Sequence, residues 1–222
     1  MDINAPSNQD YIYEELTRIG KIMANAKRVQ LLDLLCQSEY NVETLAKLTD
    51  LKFTTASAHL QILRQSRLVI TRNEGTHIYY RIAGPEVFGL LVAFNKLAMS
   101  HLAEVKQVLQ KISCDTERVS RKELLKRVKA GDVIVLDVRP IQEFNTGHIP
   151  NAISIPLEHL EARLNELDPN IEIVAYCRGA LCLLAPQATI ILSKHQRNSR
   201  CLEGGFVEWA EDKLPVEVGV KT

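Results

Sequence analysis

The sequence has 222 residues, enough for one large domain or two small ones. Its 27 basic and 27 acidic residues cancel, which excludes a uniformly basic protein that coats nucleic acid but leaves room for a local basic patch. With 46% apolar and 24% charged residues, no apolar run near the roughly 20 residues that span a bilayer and no basic-then-apolar leader, a folded cytoplasmic protein without a membrane partner is expected.

From residue 10 to 47 the apolar side chains recur at helical spacing. Ile19, Ile22, Met23, Ala26, Val29, Leu32 and Leu35 make one stripe, with an interruption expected around Gly20. Residues 38–41 are a polar break, and Val42, Leu45, Ala46 and Leu48 mark a short helix. Residues 49–52 read as a tight turn. A further helix is expected over 53–66, with Ala56, Leu60 and Leu63 inward and Thr54 or Thr55 as its cap. Two short helices joined by about four residues form a helix-turn-helix, whose second helix enters the major groove by its N-terminal residues.

Residues 69–72 and 77–82 are rich in β-branched and aromatic side chains, and the turn residue Gly75 lies between them. They predict a β-hairpin wing, with Arg72 near its tip in reach of phosphates. Residues 52–81 hold Lys52, Arg64, Arg67, Arg72 and Arg81 against Glu74 alone, the one segment suited to a polyanion. After Gly84-Pro85, a single helix of about 27 residues carries Val87 through Ile112 at helical spacing. So long an apolar stripe calls for a second subunit as its cover, so a homodimer through residues 86–112 is expected.

In this order of elements, VETLAKLTDLKFTTASAHLQILRQSRLV followed by TRNEGTHIYYRI resembles the arsenic-repressor (ArsR/SmtB) family of dimeric winged-helix regulators. The resemblance implies contacts with a double-stranded DNA operator from Phe53, Thr54, Thr55, Ser57, Ala58 and His59, with Arg64 and Arg72 on phosphates. Phe53 and Ala58 stand where the family often has Arg or Gln, so base readout is sparse and shape counts for more. The family's Cys-x-Cys metal pair falls on Val42-Glu43-Thr44-Leu45, which has no thiol. Its dimer-helix metal site would keep only His101 and Glu104, too few ligands for tetrahedral coordination, so no metal is expected. A dithiol sensor built from Cys36 and Cys114 is a further reading.

The boundary between two domains is expected at 113–119, giving a mainly α winged helix-turn-helix over 1–112 and an α/β domain with a parallel sheet over 120–222. There, residues 133–138 form a continuous apolar run suited to a strand buried on both faces. Residues 152–155, 171–176 and 200–202 are further strands, and 120–129, 157–165 and 182–194 read as helices between them. Five cysteines are too few and too uneven for a disulfide scaffold, so they are core residues, redox groups or nucleophiles.

Asp137-Val138-Arg139, Glu143-Phe144, GHIPNA at 147–152, YCRGALC and LEGGFVEWAEDKLPVE resemble a rhodanese domain in their order. That resemblance implies sulfurtransferase chemistry, a Cys177 persulfide and a small sulfur donor such as thiosulfate or polysulfide, with no cofactor. The loop itself points the same way. Cys177 follows a buried strand, Gly179 permits a positive φ and close backbone approach, and successive N–H groups at a helix start lower a thiol's pKa. Arg178 adds a charge if it points inward. Pro186 falls in the first helical turn, where its missing N–H is tolerated. A phosphatase would need arginine six residues after the cysteine to clamp phosphate oxygens, and residue 183 is leucine. Cys182 is a packing residue or a resolving thiol that attacks a Cys177 persulfide or shares a polysulfide bridge. Asp137, Arg139, Glu143 and His148 are read as support for the fold. Two functions follow: a repressor responding to reactive sulfur or redox state, or a sulfurtransferase that uses its winged helix for dimerisation or targeting.

Overall fold

The computed structural model describes residues 8–112 and 118–219, so Cys114 lies outside the described residues. The chain packs as two compact units divided between Leu91 and Val92. In the first, the long apolar stripe is two helices, α1 (Asn8–Met23) and α2 (Ala26–Leu35). The break comes at Asn25 and not at Gly20, which stays inside α1. Asn25 is extended, and its side chain accepts the Arg28 N–H to cap α2.

The polar break contains a strand, β1 (Tyr40–Asn41), and Asn41 caps α3 (Val42–Thr49) by accepting the Thr44 N–H. Asp50 ends α3 in the left-handed conformation, and α4 (Phe53–Gln65) follows. Neither Thr54 nor Thr55 caps α4. The helix begins at Phe53, so both threonines already lie inside its first turn, and Lys52 holds the cap position without a side-chain bond. Strands β2 (Val69–Glu74) and β3 (His77–Ile82) form the hairpin, turning at Gly75 with φ +58°. β1 pairs with β3, Tyr40 opposite Tyr80, which ties the wing to the helices. Leu31, Leu32, Leu45, Leu60, Leu63 and Tyr80 make one buried cluster beneath.

The single helix expected after Gly84-Pro85 is two, α5 (Pro85–His101) and α6 (Ala103–Ile112), broken at Leu102. The Ser100 hydroxyl donates to the Lys96 carbonyl at 2.8 Å, and such back-bonding bends a helix by competing with its backbone ladder. His101 and Glu104 consequently lie in different helices. Phe94, Leu97, Leu102 and Val108 are exposed.

The second unit contains β4 (Arg118–Val119), α7 (Arg121–Ala130), β5 (Ile134–Asp137), α8 (Ile141–Thr146), β6 (Ile153–Ser154), β7 (Ile173–Tyr176), α9 (Leu184–Lys194), β8 (Ser199–Leu202) and α10 (Phe206–Glu211). The strands form one parallel sheet in the order β4-β8-β7-β5-β6. Residues 157–165 form two 3-10 segments, Leu157–His159 and Glu161–Glu166, where an α-helix was expected. Successive residues of the central strands face opposite cores: Leu136 and Ala175 pack with Leu192, while Val135, Val174 and Tyr176 pack with Trp209. From β5 the chain runs outward to β6, then returns to the other side of β5 as β7 and continues to β8. The carboxyl ends of β5 and β7 therefore flank the switch point at which open α/β sheets bind ligands. Among the described residues, no helix is long and apolar enough to cross a membrane.

Candidate functional sites

Helix α4 buries Ala56, Leu60 and Leu63 and turns its other faces outward. Phe53 is 52% exposed, Thr54, Thr55, Ala58 and Arg64 are exposed, and Ser57 and His59 are half-buried. Apart from Arg64, which lies in the last turn, these residues line the N-terminal, outward side of the helix, the part that a helix-turn-helix presents to base edges. The Nδ1 of His59 is shielded and has no hydrogen-bond partner among the described residues.

Arg72 is three residues before the turn glycine and is already engaged. Glu39 and Glu74 both pair with its guanidinium, which stands 4.7 Å from the Tyr79 ring centre, and Glu39 also pairs with Arg81 at 3.4 Å. The hydrogen bonds that Arg72 donates to Glu74 and then to Glu39 hold it more firmly charged. A phosphate must compete with two carboxylates for it.

The cysteine loop begins at the end of β7. Cys177 is buried at 1% exposure, and its Sγ lies 3.6 Å from the Cys182 carbonyl oxygen. Cys182 is partly exposed, and its N–H donates to the Gly179 carbonyl at 2.9 Å, closing the turn. Burial pushes the Cys177 thiol well up, and neighbouring Cys182 adds to the shift. Cys182 is pulled down to about 7, first by the hydrogen bond from Cys177, then by the Arg178 charge and the N–H groups of Leu184 and Arg178. The sequence places the stabilised thiolate at Cys177; in the structure Cys177 is the buried and Cys182 the partly exposed member of the same loop. Arg178 does not point at Cys177. Its guanidinium makes a bidentate pair with buried Glu143, at 2.6–3.0 Å. Gly179 is not at positive φ; its role is space, since a Cβ there would lie 3.2 Å from both Glu208 carboxylate oxygens. Pro186 is buried in the first turn of α9.

Asp137 and Arg139 form a fully buried pair at the end of β5. The guanidinium bonds both carboxylate oxygens at 2.6–3.1 Å and the Gly147 carbonyl at 2.8 Å, and lies 4.3 Å from the Phe206 ring centre. His148 stacks on Phe144 with ring centres 3.7 Å apart and donates from Nδ1 to the Phe144 carbonyl. All four supporting residues hold the loops around the switch point. Burial, reinforced by Asp33, pushes Cys36 up to about 12, which leaves it a thiol at neutral pH. Burial also raises Cys201, which contacts the Thr189 hydroxyl at 3.8 Å.

Two family models match the chain: "Bacterial regulatory protein, arsR family" over residues 25–71 and "Rhodanese-like domain" over residues 120–212. The HTH-type transcriptional regulator Rv0324 of Mycobacterium tuberculosis is 44% identical over 209 residues, covering 94% of this chain and 92% of the relative. The chain belongs to the arsR family of bacterial regulatory proteins. This ArsR-family member is a DNA-binding transcriptional regulator with a winged helix-turn-helix and a C-terminal rhodanese-like domain. A sulfurtransferase of Allochromatium vinosum is 29% identical over 85 residues, 38% of this chain and 78% of that protein. The solution structure of the homodimeric winged helix-turn-helix domain, fragment 1–100, of Mb0332 from Mycobacterium bovis is 42% identical, covers 46% of this chain and 94% of that one, and has a TM-score of 0.42.

Two residues that pack against the regulator's cysteine loop from outside it escape a reading of the sequence. Glu208 on α10 accepts the Ala180 N–H at 3.1 Å, while its Oε2 is buried without a partner among the described residues. Gly205 must be glycine because a Cβ would meet the Cys177 carbonyl at 2.5 Å and the Gly179 nitrogen at 2.6 Å. The paired glycines at 204–205 were the available signal for close approach. Nothing local marked Glu208, which reaches the loop across 28 residues of chain.

Proposed function

We propose that this regulator is a homodimeric repressor of sulfur- or redox-handling genes, released from its operator when Cys177 takes up sulfane sulfur. The supporting observation is one chain carrying an outward-facing recognition helix and a two-cysteine loop at the switch point of a rhodanese-like sheet. Residues 1–112 bind DNA and dimerise, 113–119 link, and 120–222 receive the sulfur. Exposed Phe94 and Leu97 on α5, Leu102 at the break and Val108 on α6 supply an apolar surface for a second copy. Phe53, Thr54, Thr55, Ser57, Ala58 and His59 approach base edges in the major groove, and Arg64 and Arg72 approach phosphates. Two-fold symmetry makes the operator roughly palindromic.

Coupling between a sulfur on the loop and DNA affinity is of order 1–3 kcal/mol, so sulfur weakens binding by a modest factor and leaves the fold intact. A mobility-shift titration with inorganic polysulfide tests it. Wild type loses affinity on treatment and Cys177→Ser does not; an unchanged response in Cys177→Ser removes the rhodanese-like loop as the sensor. Similarity to the Allochromatium sulfurtransferase favours a second reading, an enzyme that passes sulfur to a small acceptor. Thiosulfate-to-cyanide turnover by protein that does not retard DNA would establish that reading.

A further inference from the structure

We infer that the cysteine loop accepts sulfur from donors that bring at most one negative charge to it, and discriminates against oxyanion donors such as thiosulfate. The favoured donor offers the terminal sulfur of a hydrogen polysulfide or of an alkyl persulfide. This rests on the proposal that Cys177 takes up sulfane sulfur, and it names the class of donor.

Three observations carry the inference. Arg178 is the one basic residue between positions 177 and 183, and buried Glu143 holds its guanidinium in a bidentate pair at 2.6–3.0 Å. Neighbouring Arg121 and Arg139 are engaged as well, Arg121 by Asp212 at 2.6 Å and Arg139 by Asp137 at 2.6–3.1 Å. A carboxylate already stands against the loop. Glu208 accepts the Ala180 N–H at 3.1 Å, and its Oε2 is buried without a partner among the described residues. Both Glu208 oxygens lie 3.2 Å from the place a Gly179 Cβ would take. The rim, finally, is apolar. Leu181 is the exposed residue of the loop, and partly buried Leu157, Cys182 and Leu184 pack against the cluster that contains Cys177.

Thiosulfate brings two negative charges, and its transfer leaves sulfite, a second oxyanion, in the loop. Away from water an anion of that charge needs cations or N–H groups on its oxygens. Here the guanidinium and the Ala180 N–H are taken, and the Glu208 charge repels a dianion. A persulfide presents less charge, and an alkyl group has Leu181 to lie against. The transfer closes without an added oxidant. The Cys177 sulfur attacks the terminal sulfur of an alkyl persulfide: a Cys177 Sγ–S bond forms and the S–S bond of the donor breaks. Its electron pair leaves on the alkyl-bearing sulfur, which takes up the Cys177 proton. The products are a Cys177 persulfide and a free thiol, with no net oxidation. With a hydrogen polysulfide the same step releases the polysulfide shortened by one sulfur.

The full-length protein can be tested directly, because trypsin cutting after Arg163 and Arg178 isolates Cys177 on peptide 164–178. Wild type is pulsed at neutral pH with thiosulfate, inorganic polysulfide or hydroxyethyl persulfide, quenched with an alkylating agent at successive times and mapped by mass spectrometry. Each loading rate is divided by the rate of the same donor with free cysteine, which removes intrinsic reactivity. On that scale both polysulfide and alkyl persulfide should load Cys177 roughly tenfold faster than thiosulfate, or more. The faster of the two identifies an inorganic or a thiol-borne source. Leu181→Arg puts a cation on the exposed rim, and Glu208→Gln keeps an oxygen for the Ala180 N–H while removing the charge. Each should narrow the preference by roughly threefold to tenfold. Thiosulfate loading equal to that of the other donors in wild type overturns the inference, as does a preference that neither variant narrows; both leave the proposed sensing function standing. Sulfur on 164–178 from none of the donors overturns the inference and the sensing function together. The wild-type comparison involves no substitution, so its outcome does not depend on how either variant folds.

Discussion

The recognition helix and the cysteine loop solve opposite problems. Helix α4 turns most of its working side chains to solvent and fully buries only Ala56, Leu60 and Leu63, so its outward residues can change with little cost to the fold. The cysteine loop is built from buried ion pairs, an enforced glycine and a carboxylate from a distant helix. There, function and stability share the same atoms. Reading DNA needs a projecting surface, whereas holding a reactive sulfur needs oriented donors shielded from water.

That contrast is most exposed to failure at Arg139→Ala. Removing the guanidinium leaves Asp137 as an uncompensated buried charge, which costs about 3–5 kcal/mol. Calorimetry should show the rhodanese-like domain melting earlier while α4 variants melt like wild type; equal melting would mean that the pair is not structural. Gly205→Ala comes next. Its methyl collides with the backbone of Cys177 and Gly179, and overpacking of this kind costs roughly 1–3 kcal/mol. Slower alkylation of Cys182 should accompany the lower melting temperature, since the same collision displaces the loop.

On the DNA side, a Ser57→Ala/His59→Ala double variant should lose about 1–3 kcal/mol of discrimination between operator and random DNA, with little change in stability. Competition binding checks the first half and thermal melting the second. A Cys182 thiol held near 7 is half ionised near neutral pH, and its thiolate fraction grows as pH rises. Its alkylation rate should therefore climb through about pH 7, while Cys36, pushed up to about 12, stays slow until strongly alkaline pH. The smallest effect is expected at the wing. Because Glu39 and Glu74 already engage Arg72, Arg72→Ala should change the salt dependence of DNA binding by less than one full phosphate contact. Glu39→Gln should instead tighten binding to all sequences, a difference readable in salt titrations.

Patterns within a few residues were enough for the winged helix-turn-helix and the alternating strands and helices of the second domain. Helical spacing of Leu60 and Leu63, β-branched runs around Gly75 and the apolar run ending at Asp137 are local signals, and each element appeared close to its expected place. Breaks in long helices were less legible. Asn25 interrupts the first stripe by capping with its side chain, and Ser100 back-bonds just before Leu102, although neither disturbs the apolar spacing.

By itself the sequence determined which residues are chemically able to act: the outward face of α4, two cysteines five positions apart, and the absence of an arginine at 183. Tertiary structure alone decided how that chemistry is apportioned. Which distant carboxylate claims Arg72, where Arg178 points, and what holds the Ala180 N–H depend on Glu39, Glu143 and Glu208, each 28 or more residues away in the chain. Charge and desolvation act through space, so a residue's reactivity is set by neighbours that local sequence does not reveal.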